Sequence, residues 1–350
     1  MLTMSGPEAY AQLYRNVRAR TFNMPTKQDQ AGQYVDGGIF PRLGSRLKLK
    51  PGSSIFTIGS CFAREVECVL LDCGFDVPSA RFAIPLEELP YPGPHLLNEY
   101  NAGTIVQRLE AVAGLFDHGD KGIEHTDRGA IDLFLHVGSA PVSMDRLLQR
   151  RREIAALYRQ VLSADVVVIT LGLVESWFDT EAGCYLNRAP SQKAVRAAPD
   201  RYQFHRMDLE DVRSRIERAI EMLIGLGVGD VVLTVSPVPV EATFMPDSCP
   251  ISNGYSKAVL RVTADLISRK YPQVTYFPSF EIVNSFGTCG FLDDNVHVQP
   301  WVVHHIMHYW LANFLEQPTA VPTGDVVGHG METGEAGDSS IAPDAAGRAA

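Results

Sequence analysis

Short apolar runs alternate with helix-period stretches through the middle of this chain. Ser54 to Ile58 is a run of β-branched and aromatic residues bounded by Gly52 and Gly59, and reads as a buried strand. Directly after it, Phe62, Val66, Val69, Leu70 and Cys73 recur at steps of three and four. That spacing predicts an amphipathic helix closed by Gly74 at its C′ position. The alternation returns further on. Asp165–Thr170, Asp230–Val235 and Val274–Phe277 read as strands; Asp208–Leu226, Ser252–Lys270 and Gln299–Leu315 read as helices. Asp208 caps the first of these helices, and Leu209, Val212, Ile216, Ile220 and Leu223 share one of its faces. A Pro- and Gly-rich stretch, about 78–164, is less regular. It holds an expected helix at Gly103–Leu115 and a basic one at Asp145–Leu162. No internal repeat is visible. Strands that are apolar throughout, separated by helices, predict a parallel sheet covered on both faces. The expected fold class is α/β, a three-layer sandwich around a central parallel sheet.

The two ends read differently from this domain, which is expected to span 51–316. Residues 1–50 form a mixed lead-in, with a short helix at Glu8–Arg18 and an extended arm from Phe22 to Leu49 packed on the core. Residues 317–350 contain no aromatic side chain and carry Asp325, Glu332, Glu335, Asp338 and Asp344 against Arg348 alone. Such a segment cannot bury enough apolar surface to offset chain entropy, and a disordered acidic tail is expected. The formal charge is 31 − 41 = −10, and the tail supplies −4 of it. With 45% apolar and 21% charged residues the composition is that of an ordinary globular chain. The acidic balance argues against nucleic acid as a partner. No stretch reaches the ~20 apolar residues of a membrane span, and the N-terminus lacks a signal-peptide core. The six cysteines form no C-x-x-C pair and read as reduced, which points to the cytoplasm.

Candidate chemistry sits at two places. Ser60 follows the first strand and opens a helix, the position where α/β sheets place ligands. The free N–H groups of a helix N-terminus would stabilise an oxyanion beside its hydroxyl; the other reading is a plain N-cap. Asp294 and His297 lie three residues apart after the last strand, at the same expected sheet edge. That spacing lets the carboxylate hold the imidazole Nδ1–H, as a general base requires; the other reading is a capping Asp on a surface loop. Cys61 is a second nucleophile candidate, because a thiol at a helix N-terminus has a lowered pKa. Three further features read as structural. His304, His305 and His308 lack the glutamate of a metalloprotease motif, so no metal is expected. Gly225–Gly229 lies between helix and strand and stops the helix, and Arg150–Arg152 reads as a solvated helix face.

Gly59-Ser60-Cys61-Phe62-Ala63 spells GSCFA and resembles the GSCFA family, a branch related to the SGNH, or GDSL, hydrolases. Asn98-Glu-Tyr-Asn101, Thr170-Leu-Gly172 with Glu175 and Trp177, Ser236-Pro-Val-Pro239, Asn253-Gly-Tyr-Ser-Lys257 and Asp294-x-x-His297 continue the resemblance over about 40–315. It implies a flavodoxin-like fold of the SGNH-hydrolase type, with Ser60 as nucleophile, His297 as base and Asp294 as its partner. The block that commonly supplies an oxyanion asparagine reads Gly172-Leu-Val174-Glu175 here, and Val174 has no side-chain donor. The oxyanion hole would then use the N–H groups of Ser60 and Gly172 with the side chain of Asn101, unless Asn101 merely caps its helix. Glu175 and Trp177 would bind substrate, with Trp177 and Phe178 as a stacking wall or as core. The implied activity is that of a serine esterase or acyltransferase acting on a small acyl ester, such as an O-acetylated carbohydrate, without a cofactor. The alternative is a catalytically inactive carbohydrate-binding or scaffold protein that keeps the fold.

Overall fold

Strands β1 (Ile55–Gly59), β2 (Val166–Leu171), β3 (Asp230–Val235) and β4 (Val274–Phe277) form a parallel sheet, hydrogen-bonded in that order. They match the apolar runs to within a residue at each end. The computed structural model describes residues 3–19, 34–35, 37–44, 46–88, 95–136 and 139–316. Helices α1 (Cys61–Asp72), α2 (Ala102–Val112), α3 (Met144–Tyr158), α4 (Leu209–Gly225), α5 (Cys249–Lys270) and α6 (Pro300–Phe314) cover the sheet. Successive side chains of a strand go to opposite faces. Phe56, Ile58, Val167, Ile169, Leu171, Val231, Leu233 and Val235 therefore share one core with α2 to α5, while α1 and α6 pack together on the other side. Every residue of β1 and β2 is buried, which is why these strands read as continuous apolar runs.

Beyond β1 the sheet gains a stub. Asp76 bridges Ser54 in parallel, and its carbonyl accepts the Ile55 N–H at 2.7 Å. Counting the stub gives the spatial order 2-1-3-4-5, the doubly wound order whose switch point lies between β1 and β2. The turn into the stub is the predicted one. α1 ends at Asp72, Gly74 takes φ +80°, and Phe75 N–H returns to the Leu70 carbonyl at 3.1 Å.

The sequence reading leaves 175–206 without strands. There the structure has a three-stranded antiparallel sheet with Glu175–Asp179 between Cys184–Leu186 and Tyr202–Arg206. The stretch about 78–164 contributes α2, α3 and a hairpin of Ile123–Thr126 with Gly129–Asp132. Arg150–Arg152 is not a solvated face. Arg150 is fully buried against Glu88, and Arg151 takes Asp132 through two bonds of 2.8 and 2.9 Å, leaving Arg152 alone exposed. A helix occupies Gly6–Ala19. Residues 20–33, which include the first part of the expected arm, lie outside the described residues, as does the expected tail at 317–350. Where the arm is described it lies on α6: Phe40 packs on Tyr309, and Leu49 N–H donates to the Phe314 carbonyl at 2.6 Å. The six cysteines are free, and no described helix is long and apolar enough to cross a membrane.

Candidate active site

The site begins with a close approach. Gly59 ends β1 at φ +148°, and a Cβ there would lie 2.4 Å from the Thr170 carbonyl oxygen of β2. Only glycine allows the two strand ends to meet. Ser60 follows in extended conformation as N-cap of α1, yet its side chain makes no cap bond. Its Oγ is buried and has no hydrogen-bond partner among the described residues. A buried orphan hydroxyl costs about 1–3 kcal/mol, and one kept at a cleft calls for a functional reason. The plain N-cap reading is therefore not what the side chain does. α1 is held behind it by a buried network. Glu67 accepts from Arg64 at 2.8 Å, from Ser79 at 2.6 Å and from Thr57 of β1.

Residues 98–101 wedge between the ends of β1 and β2. Glu99 N–H donates to the Gly59 carbonyl at 2.8 Å, and Leu173 N–H donates to the Tyr100 carbonyl at 2.7 Å. The wedge is anchored by the buried Glu99–Arg108 pair at 2.6 Å; burial pushes the Glu99 carboxyl up, and Arg108 opposes that rise. Asn101 is committed elsewhere. Its Oδ1 accepts from Thr104 N–H at 2.9 Å and its Nδ2 donates to the Leu186 carbonyl at 3.3 Å. The cap reading of Asn101 thus describes its side chain. Asn98 is different. Its amide meets the Tyr100 hydroxyl at 3.1 Å, and its other amide atom is buried without a partner among the described residues. A hydroxyl both donates and accepts, so the amide can be turned to leave its NH2 as the group facing the cleft.

Gly172 starts the loop after β2. A Cβ there would sit 2.9 Å from the Tyr100 carbonyl oxygen and 3.3 Å from Ser60 Cβ. Its carbonyl accepts from Lys257 Nζ at 3.0 Å. Lys257 is buried, which pushes its amine down to about 7, with Cys61 opposing the shift. Burial likewise pushes the Cys61 thiol up, outweighing the Phe62 N–H and Lys257. The lowered thiol pKa expected at a helix N-terminus is not found, because desolvation outweighs the helix end.

Asp294 and His297 take the expected geometry. His297 Nδ1 lies 2.5 Å from Asp294 Oδ2, while Asp294 Oδ1 accepts the N–H groups of Val296 (2.8 Å) and His297 (3.0 Å). Partial burial pushes the Asp294 carboxyl up, but the bonds from the His297 ring and these two N–H groups prevail and bring it down to about 2. Asp294 thus supports the turn and orients the ring together. His297 is 64% exposed at its side chain, and Ser60 Oγ makes no bond to it.

One cleft of about 590 Å³ is lined by Ser60, Asn101, Gly172, Glu175, Trp177 and His297, the sequence candidates, with Asp294 behind His297. Glu175 pairs with no Arg among the described residues; its carboxylate accepts from Thr243 Oγ1 at 2.6 Å and Phe244 N–H at 3.2 Å, fastening the loop after β3. Trp177 meets Phe204 and Phe244 edge-on at 5.9 and 5.1 Å, and its Nε1 is buried without a partner among the described residues. Phe178 is no part of that wall. As the next residue of the strand it faces the other way and stacks on His205 at 5.3 Å. The cleft also takes in Asn98, Ser236 and Arg188. Asn98 and Ser236 stand inside the N-E-Y-N and S-P-V-P motifs; Arg188 carries no sequence signal.

The profile of the GSCFA family matches residues 54–310, from the start of β1 into α6. The chain belongs to the GSCFA family. Each letter of the motif has a physical place in this GSCFA protein: Gly59 permits the strand approach, Ser60 presents its hydroxyl, Cys61 opens α1, and Phe62 and Ala63 are buried beneath it. No curated protein matches the chain. Among solved structures, a catalytic mutant of an acetylxylan esterase from Geobacillus stearothermophilus is similar to this GSCFA protein. It is 14% identical, the match covers 78% of this chain and 100% of that one, and the TM-score is 0.33.

Proposed function

We propose that this GSCFA protein is a serine esterase or acyltransferase of the SGNH type. The observation that carries the reading is Ser60. Its hydroxyl is buried, unbonded and released from capping at a doubly wound switch point, in the same cleft as a histidine held by a carboxylate. Ser60 Oγ attacks the ester carbonyl while His297 Nε2 takes its proton. Asp294 holds the opposite ring nitrogen and stabilises the imidazolium. The N–H groups of Ser60 and Gly172, with the Asn98 amide in the role first given to Asn101, stabilise the oxyanion. His297 returns the proton to the leaving alcohol, and an acyl group remains on Ser60. Water resolves it in a hydrolase, and an acceptor hydroxyl resolves it in a transferase. Neither step needs a cofactor. The Ser60–His297 bond forms on substrate binding, since catalytic hydrogen bonds tighten in the complex. The aromatic wall of Trp177, Phe204 and Phe244 suits the apolar face of a sugar ring, so an O-acetylated carbohydrate is the substrate class.

The missing Ser60–His297 bond also supports a second reading, an inactive carbohydrate-binding protein that keeps the fold. A fluorophosphonate probe separates the two. The esterase reading expects stoichiometric labelling at Ser60, abolished in Ser60→Ala. A folded wild type that stays unlabelled would leave the inactive reading standing.

A further inference from the structure

Among the described residues, the esterase steps leave the cleft's one arginine without a task. Arg188 lines the cleft. Its guanidinium makes a single hydrogen bond, from Nη1 to Ser139 Oγ at 3.3 Å, and no ion pair among the described residues. The carboxylates that act on it through space are occupied. Asp132 is held by two Arg151 bonds, and Glu124 accepts the Ser191 N–H at 2.9 Å. Arg188 is half-buried, and the more deeply buried arginines differ. Arg64, Arg108, Arg150 and Arg151 each have a carboxylate oxygen at 2.7, 2.6, 3.2 and 2.8 Å. Burial pushes the Arg188 pKa down, as expected of a cation taken from water with no bonded counter-charge. The backbone that carries it is fixed in place. The preceding Asn187 is pinned through Oδ1 to Tyr100 N–H at 3.1 Å, through Nδ2 to the Asn98 carbonyl, and through its own N–H to the Leu133 carbonyl at 2.9 Å. Among the described residues none of the cleft's acids pairs with it: Glu175 serves Thr243 and Phe244, and neither Glu65 nor Glu241 forms an ion pair with it.

We infer that Arg188 is the binding site for an oxyanion on the substrate, a carboxylate, sulfate or phosphate group. The inference rests on the proposed function only in taking the cleft as the place where substrate binds. A guanidinium carries five N–H donors in a planar fork, and one bond to Ser139 leaves an edge free for two parallel bonds to such a group. The substrate is then an acidic acyl ester, such as an acylated uronic acid or an acylated sulfated or phosphorylated sugar.

Isothermal titration of the full chain with succinate, inorganic sulfate and inorganic phosphate, with neutral succinamide as control, tests this and distinguishes the three sources. At least one anion is expected to bind with Kd below about 10 mM, a weak but measurable affinity. Succinamide is expected not to bind. Arg188→Met should weaken the anion about tenfold or more. Arg188→Lys, which keeps charge but loses the fork, should fall between; it carries the comparison if the Met variant does not fold. Absence of saturable binding, or equal affinity in folded variants, would overturn the inference. The same titration in Ser60→Ala separates it from the esterase reading: anion binding there, with no probe labelling in the wild type, would end the esterase proposal and leave the anion site.

Discussion

Replacing Asp294 by Asn probes the acid–base pair with little disturbance of its loop. The new amide oxygen can still accept the N–H groups that Oδ1 takes at 2.8 and 3.0 Å, so the turn keeps its shape. The change falls on the other atom. Where Oδ2 now meets His297 Nδ1 at 2.5 Å, an NH2 would stand, and Nδ1 must become the acceptor. The ring proton then moves to Nε2, which can no longer take a proton from Ser60. A fully buried triad loses about 10⁴-fold by this change. Here the Asp294 and His297 side chains are 45% and 64% exposed, so water partly restores the other tautomer. The expected loss in kcat/KM is about 10²–10³-fold, or about 3–4 kcal/mol of transition-state stabilisation. Stability should change by no more than about 1 kcal/mol, the scale of an exposed pair. The neighbouring Asp293 is exposed and makes no hydrogen bond among the described residues, so Asp293→Asn should stay within about twofold of wild type. Initial rates on 4-nitrophenyl acetate, with thermal melts as a folding control, read both variants. A folded Asp293→Asn more damaged than a folded Asp294→Asn would refute the D-x-x-H assignment. The pH sense is fixed as well. With the Asp294 carboxyl lowered from 3.8 to about 2, its contribution is complete above the ordinary value and is lost only as pH falls through about 2. Loss of activity above pH 4 therefore does not come from Asp294.

Lys257 is depressed from 10.5 to about 7, so the unfolded chain binds the extra proton and Lys257 makes stability rise between pH 7 and 10.5. Urea midpoints should show that rise in wild type relative to Lys257→Met, and a parallel pH course in the two proteins would contradict it. Glu67→Ala leaves Arg64 buried without its carboxylate and should cost about 3–5 kcal/mol in chemical denaturation; a loss under about 1 kcal/mol would mean the network carries little. Gly172→Ala pushes a methyl against the Tyr100 carbonyl and Ser60 Cβ, and should cost about 10²-fold in kcat. Unchanged turnover in that variant would show that the Gly172 backbone plays no part in the oxyanion hole.

How much of this was legible in the sequence follows from what each signal depends on. β1 and β2 are buried throughout and β3 at every residue but Asp230, so composition alone marks them; the shorter β4 is half-buried at Thr275 and Tyr276 and is marked by its β-branched and aromatic residues. Strand order then carries Ser60 and the Asp294–His297 turn to one edge of the sheet. Sequence alone puts Asn101 forward as the oxyanion side chain; Asn98 sits in the same motif, and only the tertiary partners Tyr100 and Leu186 decide which amide is spent. The Glu175–Arg206 sheet was missed because its strands are short and half-buried, and their pairing across turns is non-local. Arg150 and Arg151 misread as surface for the same reason. Their carboxylates, Glu88 and Asp132, are distant in sequence.

The central claim is that Ser60 carries the acyl group. Mass spectrometry of protein quenched in acid during turnover of 4-nitrophenyl acetate tests it directly. The account predicts an acetyl group on Ser60, absent in Ser60→Ala and accumulating in His297→Ala only if acylation outlasts loss of the base. Acetyl found instead on the neighbouring Cys61, or ester consumed at the wild-type rate by Ser60→Ala, would contradict it.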